Sequence, residues 1–403
     1  MSDGLYQLEG RLQNYAWGGH EFIPKLLGLQ PEPHTPYAEY WLGAHAKAPS
    51  NVLLKDDITI CLDRFVAENA PRALGQRAAL QFGQLPYLFK VLDVEQPLSI
   101  QVHPTKAEAE AGFAREDRLG IPLDAPQRNY KDKNHKPELM VALSEFWLLH
   151  GFLPEERLRD KLRDVPELRI LLPIYERGGY AELYGTVMNM PAREVEGMLA
   201  PLVERVRGGV GTGGWDKASA EYWVARALEL DSNAARDRGL FSIYFFNLVG
   251  MKAGEAIFQD AGIPHAYLQG QNIEVMANSD NVLRGGLTPK HVDVPELLKT
   301  VRFEGIEPRV TRGAPAENPL EVYYESATQD FRLSRIRLGL GDAYRNTAQS
   351  AEILLVMAGA AVIDGDQSQL NLRRGQSAVA FAHSDYSVRA LSNEADLFRV
   401  SLP

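Results

Sequence analysis

Apolar residues change their spacing twice along the chain. Over residues 1–60 they fall in short stretches broken by Pro and Gly, as strands and loops require. Residues 64–82 are rich in Ala and Leu and predict a helix, and the run from Leu85 to Val94 (LPYLFKVLDV) predicts a buried strand. Ser99-Ile-Gln-Val-His103 alternates, which puts Ser99, Gln101 and His103 on one face and Ile100 and Val102 on the other. Pro104 ends that strand. Thr105 and Glu108 then form a capping box that opens a helix reaching about Arg118.

The middle of the chain has helical spacing. Leu158–Leu172, Ala218–Leu230 and part of Ala234–Leu248 read as helices. Pro191 suits a first turn, after which Val195, Met198, Leu199, Leu202, Val203 and Val206 recur at i, i+3 and i+4. From about Lys252 the strand pattern returns. Beyond a soft joint near Gly313–Pro319, the strands are Phe331–Leu340, Ile353–Ile363, Ser377–Ala382 and Leu397–Leu402, with Asp364-Gly365 as a tight turn. The apolar phase slips between Leu333 and Ile336, which predicts a bulge. AEYW stands at 38–41 and again at 220–223, a coincidence of four residues. The economical architecture is a β-sandwich interrupted by a helical insertion and followed by a second, small β-sandwich.

Composition narrows the class. A chain of 403 residues predicts two or three domains and an ample core. The single Cys61 excludes an intramolecular disulfide and fits a reducing, cytoplasmic setting. The opening MSDGLYQLEGRLQ lacks the basic and apolar regions of a secretory signal. The longest apolar run, Ile353–Ile363, is well short of the about 20 residues that a membrane span needs. With 43 Lys+Arg against 53 Asp+Glu the formal charge is −10, which argues against a nucleic-acid partner but leaves room for a local basic pocket.

Gly209-Val-Gly211-Thr-Gly213-Gly214 satisfies G-x-G-x-x-G but follows a helix rather than a strand, so it reads as a helix–helix loop and not a dinucleotide site. A P-loop, a G-x-S-x-G elbow and a C-x-x-C pair are all lacking. Any metal site must therefore use His, carboxylates and amides. Of nine histidines, His20, His34, His45, His150, His291 and His383 show no convincing partner and read as surface or core residues. Gln101-x-His103 aims two ligands at one point. Asn134-His-Lys-Pro-Glu138 places a carboxylate just before the strand Leu139–Leu143, and its His135 is offset from Glu138 so that the two do not share a strand face. Gly262-Ile-Pro-His265-Ala-Tyr267 places a histidine at the start of another strand. Such an N/O shell suits zinc or another first-row divalent ion, while each cluster alone also fits a hydrogen-bonded barrel mouth. The third cluster runs on through Glu274, Asp280, Arg284 and Lys290. Its loop signals, Ser279-Asp-Asn281 and Gly285-Gly286, put these charges at a rim. They are either a solvated loop or, with Lys90 and Lys136, the positive potential that an anionic substrate needs.

QNYAWGG at 13–19, QPLSIQVHP at 96–104, YKDKNHKPE at 130–138 and GIPHAYLQGQNIEVMANSDNVLRGGLTPKHVDV at 262–294 together resemble the type I phosphomannose isomerases of the cupin superfamily. The resemblance is strong over 1–150 and 240–300. It implies a mainly β fold with two cupin-type β-sandwich (jelly-roll) domains: a catalytic one split between 1–152 and 235–314, a helical insertion at 153–234, and a C-terminal one at 315–403. It implies one zinc ion per chain on Gln101, His103, Glu138 and His265. The implied catalytic residues are Arg284, Lys136, Glu274 and Asp280, and the implied substrate-binding residues are Trp17, Lys90, Ser99, Tyr267 and Lys290. A monomer that interconverts mannose 6-phosphate and fructose 6-phosphate through an enediol(ate) would follow. One departure is RGGL, containing Gly286, where the family pattern leads one to expect RAGL; the expected effect is a looser loop with Arg284 in place. Two other readings compete: a different metal-dependent cupin enzyme, such as an iron oxygenase, and a non-catalytic sugar-binding cupin.

Overall fold

A computed structural model describes residues 4–54, 58–210 and 214–403. Among them, the strands form two large antiparallel sheets, with helices gathered mainly on one side. The pivot of the first sheet, which has ten strands, is the long strand His265–Ala277. Its first part pairs with Phe146–Phe152 and Gln101–Val102, and its second part with Tyr87–Val94 and Glu138–Ala142. The change of partners falls at a register irregularity beside Gly270. That glycine sits at φ 124°, and a β-carbon there would lie 2.5 Å from the Glu145 carbonyl oxygen, so only glycine allows the strand to bend from one layer into the other. The Tyr87–Val94 strand is buried throughout, as its unbroken apolar run requires. Phe89 and Val91 enter the core shared with the second sheet, while Lys90 and Leu92 face into the first sandwich.

The helical insertion lies between the strands Phe146–Phe152 and Phe246–Met251. Val195, Leu199, Leu202, Val203 and Val206 are buried, as the i, i+3, i+4 pattern demands, and pack with Leu149, Phe152, Ala266 and Leu268 on the back of the sheet. Several boundaries differ from the sequence pattern. That helix, Ala192–Val210, takes in Gly208 and Gly209, and Gly211–Gly213 of the glycine-rich motif lie outside the described residues. The expected Leu158–Leu172 helix splits into Glu155–Asp164 and a tighter 3-10 turn, Pro166–Leu171, because Pro166 has no N–H with which to continue it. The helix Leu172–Asn189, broken at Gly178-Gly179, was not expected at all. Residues 64–82 form three short helices, Leu62–Glu68, Ala70–Leu74 and Gln76–Phe82, interrupted at Pro71 and at Gly75 (φ 79°). The capping box is present in full: the Thr105 hydroxyl accepts from the Glu108 N–H, and the Glu108 carboxylate accepts from the Thr105 N–H, at the head of Lys106–Arg118. The two AEYW segments fold differently, one in the strand Glu39–Gly43 and one opening the helix Ala220–Leu230.

The second sheet, of eleven strands, joins the two ends of the chain. Leu5–Glu9 lies between Ser377–Ala380 and Asn51–Leu53, with Leu5 opposite Ala380 and Gln7 opposite Leu53. The expected bulge in Phe331–Leu340 is absent. Arg332–Gly339 pairs with Asp385–Ser401 in unbroken register. The apolar phase slips because the strand is buried on both faces: Leu333 enters the core between the sheets, and Ile336 and Leu338 enter a separate core inside the C-terminal sandwich. The irregular pairing is instead that of Glu352–Gly365 with Asp385–Ser401, whose register shifts at Val356/Ala358 and again at Gly359/Ala361. Among the described residues, no helix is long and apolar enough to cross a membrane.

Candidate metal centre

The Gln101–Val102 strand is only two residues long, yet it organises the site. Gln101 pairs with His265 on one side and with Arg284 on the other, so three candidate side chains share one rung of the sheet. His103, just past the strand, is wholly buried beside Glu138 and His265. The ligand atoms of His103, Glu138 and His265 lie within 4.8 Å of one another. Each imidazole has one nitrogen committed. His103 Nδ1 lies 2.8 Å from the Asn281 carbonyl oxygen, and His265 Nδ1 lies 2.9 Å from that of Ile263. A carbonyl only accepts, so both Nδ1 atoms carry a proton and both Nε2 atoms are left to face the cluster. Those nitrogens lie 3.2 Å and 3.3 Å from the Glu138 carboxylate. His103 Nε2 is buried without a hydrogen-bond partner, and burial lowers the ring's pKa to about 4, so the imidazole stays neutral. Two imidazole nitrogens and a carboxylate converging in a buried space make a donor set that could hold a metal ion. Neutral imidazoles with the far nitrogen bonded to a carbonyl are the donors that zinc-type ions take. The residues therefore fit a first-row divalent metal, and Gln101 stands directly opposite His265 in the sheet.

Behind this cluster the interior of the sandwich is charged. Lys136 Nζ lies 3.1 Å from Glu138, and Lys90 Nζ lies 3.0 Å from Glu274 and 3.6 Å from Glu39. The Tyr267 hydroxyl donates to Glu274 at 2.8 Å and accepts from the buried Gln259 amide at 2.9 Å. Trp41 Nε1 donates to Glu39, and its ring lies under the Lys90 ammonium. Three buried carboxylates thus face two ammonium groups before any metal is counted. Burial pushes the Glu138 carboxyl up, but Lys136 and His103 outweigh it and hold it well below the usual carboxylate range. Burial pushes Glu274 up as well, and there Lys90 does not fully offset it, so this carboxyl stands above its ordinary value. Lys90 stays an ammonium: burial lowers its pKa, but the attraction of Glu274 and Glu39 is larger.

The rim contains a paired anion and unpaired cations. Asp280 is bound by Lys47 at 2.8 Å and by His45 at 3.5 Å; these contacts outweigh burial and hold its carboxyl far below the usual range. The Arg284 guanidinium is half-buried and, among the described residues, has no carboxylate partner; burial alone lowers its pKa. Lys290 is more exposed, and desolvation and the neighbouring Arg284 charge both lower its pKa. Trp17 stacks with Tyr15 at 5.9 Å, and its carbonyl accepts the N–H groups of Glu95 and Gln96, which ties this turn to the segment leading to Ser99.

Comparison with known proteins agrees with this geometry. The family model for the phosphomannose isomerase type I catalytic domain matches residues 5–155. Mannose-6-phosphate isomerase of Salmonella typhimurium is 38% identical over 402 residues, covering 98% of this chain and 99% of that protein. The chain belongs to the type I phosphomannose isomerase family. A solved variant of the Salmonella typhimurium phosphomannose isomerase superposes with a TM-score of 0.88 at 36% identity, covering 99% of both chains. A mannose 6-phosphate isomerase solved with zinc bound gives 0.87 at 36% identity, again over 99% of both.

In this phosphomannose isomerase family member the structure brings His103, Glu138, His265, Lys136, Lys90, Glu274 and Tyr267 together, with Gln101 and Arg284 on the same rung as His265. Several sequence expectations need correction. Ser279 and Asn281 are not on a solvated loop: both are buried, and their side chains hydrogen-bond to the Asp132–Asn134 segment. His45 has a partner, Asp280, whereas His150 is a core residue as expected, directly opposite His265 in the sheet. His135 faces away from the cluster, as its offset predicted, and pairs with Asp330 at 2.8 Å. Glu39, His45, Lys47 and Gln259 were missed. The strand alternation of Glu39 and Trp41 was a usable signal for the first. The other three owe their place to pairing across the fold.

Proposed function

We propose that the chain interconverts mannose 6-phosphate and fructose 6-phosphate, with one zinc ion held by Gln101, His103, Glu138 and His265. The observation that carries this reading is the buried His103–Glu138–His265 cluster, whose His265 shares a sheet rung with Arg284, a half-buried arginine with no carboxylate partner among the described residues. Bound there, zinc would polarise the sugar oxygens without redox chemistry. The chain's own residues supply the rest. In an aldose–ketose shift the C2 proton leaves to a base, the C2–H pair forms the C1=C2 bond of the enediol(ate), and the C1=O π pair moves onto O1. O1 gains a proton as O2 loses one, and the O2 pair re-forms a carbonyl at C2 as the C1=C2 pair takes a proton at C1. Glu274 suits this transfer, because its raised carboxyl can both take and release a proton. Lys136, touching Glu138, is the other candidate. Asp280, fixed as an anion by Lys47 and His45, serves instead to brace the rim. Arg284 would stabilise the negative enediolate oxygen or hold the phosphate, with Lys290 adding charge and Trp17, Ser99, Tyr267 and Lys90 shaping the pocket. The three-part division at 1–152 with 235–314, 153–234 and 315–403, the monomeric state and the cytoplasmic setting suggested by the lone Cys61 belong to the same reading.

A coupled assay converting mannose 6-phosphate to fructose 6-phosphate tests it. Activity should vanish on chelation, return with zinc, and proceed without oxygen uptake. His265→Ala should lose both metal and activity, and Arg284→Ala should keep metal while turnover falls about 10²–10³-fold. Full metal content and a near-normal rate in either variant would overturn that residue's assignment.

A further inference from the structure

The loop from Arg284 to Lys290 (RGGLTPK) is not loosened by its two glycines. On one side Gly285 donates to the Ile100 carbonyl at 2.9 Å, and Ile100 donates back to the Gly286 carbonyl at 3.0 Å. On the other side the loop meets a residue of the returning insertion, Asp237, between the turn Ser232–Arg236 and the buried helix Gly239–Phe245. Asp237 Oδ1 accepts the N–H groups of Leu287 (2.9 Å) and Gly239 (2.7 Å), and Oδ2 accepts that of Thr288 (3.0 Å). One carboxylate thus fastens two consecutive amides of the loop to the end of the insertion.

The backbone there is one the loop would not adopt unaided. Leu287 has φ 53°, in the left-handed region that a branched side chain disfavours, and Gly286 has φ 121°. Gly286 and Gly239 pack backbone to backbone. A β-carbon on Gly286 would lie 2.6 Å from Gly239 and 2.8 Å from Asp237 Oδ1, and one on Gly239 would lie 2.5 Å from the Leu287 nitrogen. Such a conformation persists only where its surroundings over-determine it, and here Asp237 and Ile100 do so.

We propose that Asp237 is a positioning residue that fixes Arg284 and Lys290 by holding the Leu287 and Thr288 amides, so that the helical insertion sets the geometry of the cationic rim. It touches neither the metal cluster nor Arg284, and its role in turnover rests on the isomerase reading above. Two variants test it: Asp237→Ala removes all three acceptor contacts, and Asp237→Asn keeps one acceptor oxygen. In the wild type the amides of Leu287 and Thr288 should be protected from hydrogen exchange. Protection should be lost in Asp237→Ala and reduced in Asp237→Asn, with metal content and the cooperative melt retained in the latter. In the coupled assay kcat/KM should fall about 10- to 100-fold in Asp237→Ala and less in Asp237→Asn, as displacement of a catalytic group produces. Added to Arg284→Ala, either substitution should cost clearly less than it does in the wild type, because the part of its effect that runs through the guanidinium is already lost. Unprotected amides in the wild type would overturn the latch. A further loss in the Arg284→Ala background as large as that in the wild type would reduce Asp237 to a stabilising role. Protected amides in a wild type that fails to turn over mannose 6-phosphate would support the latch and sink the isomerase reading instead.

Discussion

At the scale of single residues the site is governed by burial set against charge. His103 and His150 are both buried, with pKa values lowered to about 4 and about 3. In the unfolded chain each would titrate near 6.5. Between those limits the unfolded state binds more protons than the folded one, so stability must fall as pH drops from about 6.5 toward 4 and must level off above neutrality. Each pH unit inside that window costs at most about 1.4 kcal/mol per histidine. Melting curves at pH 7.5, 6 and 4.5 test this: the melting temperature should be flat over the alkaline part and fall on the acid side. A melting temperature that does not change down to pH 4.5 would show that these imidazoles are not held neutral. Glu274 and Asp280 make the complementary point. Both are acidic residues of one sequence cluster, and their carboxyls move in opposite directions, because Glu274 is enclosed with Glu138 nearby while Asp280 is clasped by Lys47 and His45.

At the scale of elements, strand alternation does most of the positioning. Tyr87–Val94 sends Lys90 toward Glu274, and Phe89 and Val91 into the inter-sheet core, so one strand serves the charged interior and the apolar core on opposite faces. Arg332–Gly339 is the same device without a site: Leu333 lies in one core, and Ile336 and Leu338 lie in another. Leu333→Ala should therefore cost about 2–5 kcal/mol in denaturant unfolding. Arg337→Ala, on the same strand but with its side chain 68% exposed, should stay within about 0.5 kcal/mol. Equal effects would contradict the two-core arrangement. The helical elements were the least legible in the sequence. Leu172–Asn189 is interrupted by a glycine pair, and residues 64–82 break at Pro71 and Gly75, so the 3.6-residue period never runs long enough to mark where each helix starts and stops.

At the scale of the whole molecule, three strands near the start of the chain, Leu5–Glu9, Asn51–Leu53 and Thr59–Cys61, belong to the C-terminal sheet, while Arg11–Gln13 and Glu39–Gly43 belong to the other. Leu5–Glu9 is hydrogen-bonded along Ser377–Ala380, and Leu8, Val52, Phe89, Ile353, Phe398 and Val400 share one core. A chain ending at residue 313 would leave Leu5–Glu9 as an open edge and the apolar faces of Phe89, Val91 and Val275 exposed. Such a truncation should show no cooperative melt and bind no metal in the site; a stable, metal-binding fragment would show that the C-terminal sheet is dispensable. Local sequence patterns marked Gln101-x-His103, Glu138 at the head of a strand and His265 behind a proline as separate candidates, and the family resemblance implied joining them into one set. The sequence by itself determined the order of β, helical and β segments. The tertiary structure alone decided that His265, Gln101 and Arg284 share a rung, that Asp280 is clasped by His45 and Lys47, that Leu333 and Ile336 belong to different cores, and that Asp237 fastens the loop after Arg284. Those facts depend on which strands and loops meet across tens to hundreds of residues. A period of 2 or 3.6 fixes which way a side chain points along its own element, and it is silent about which partner waits there.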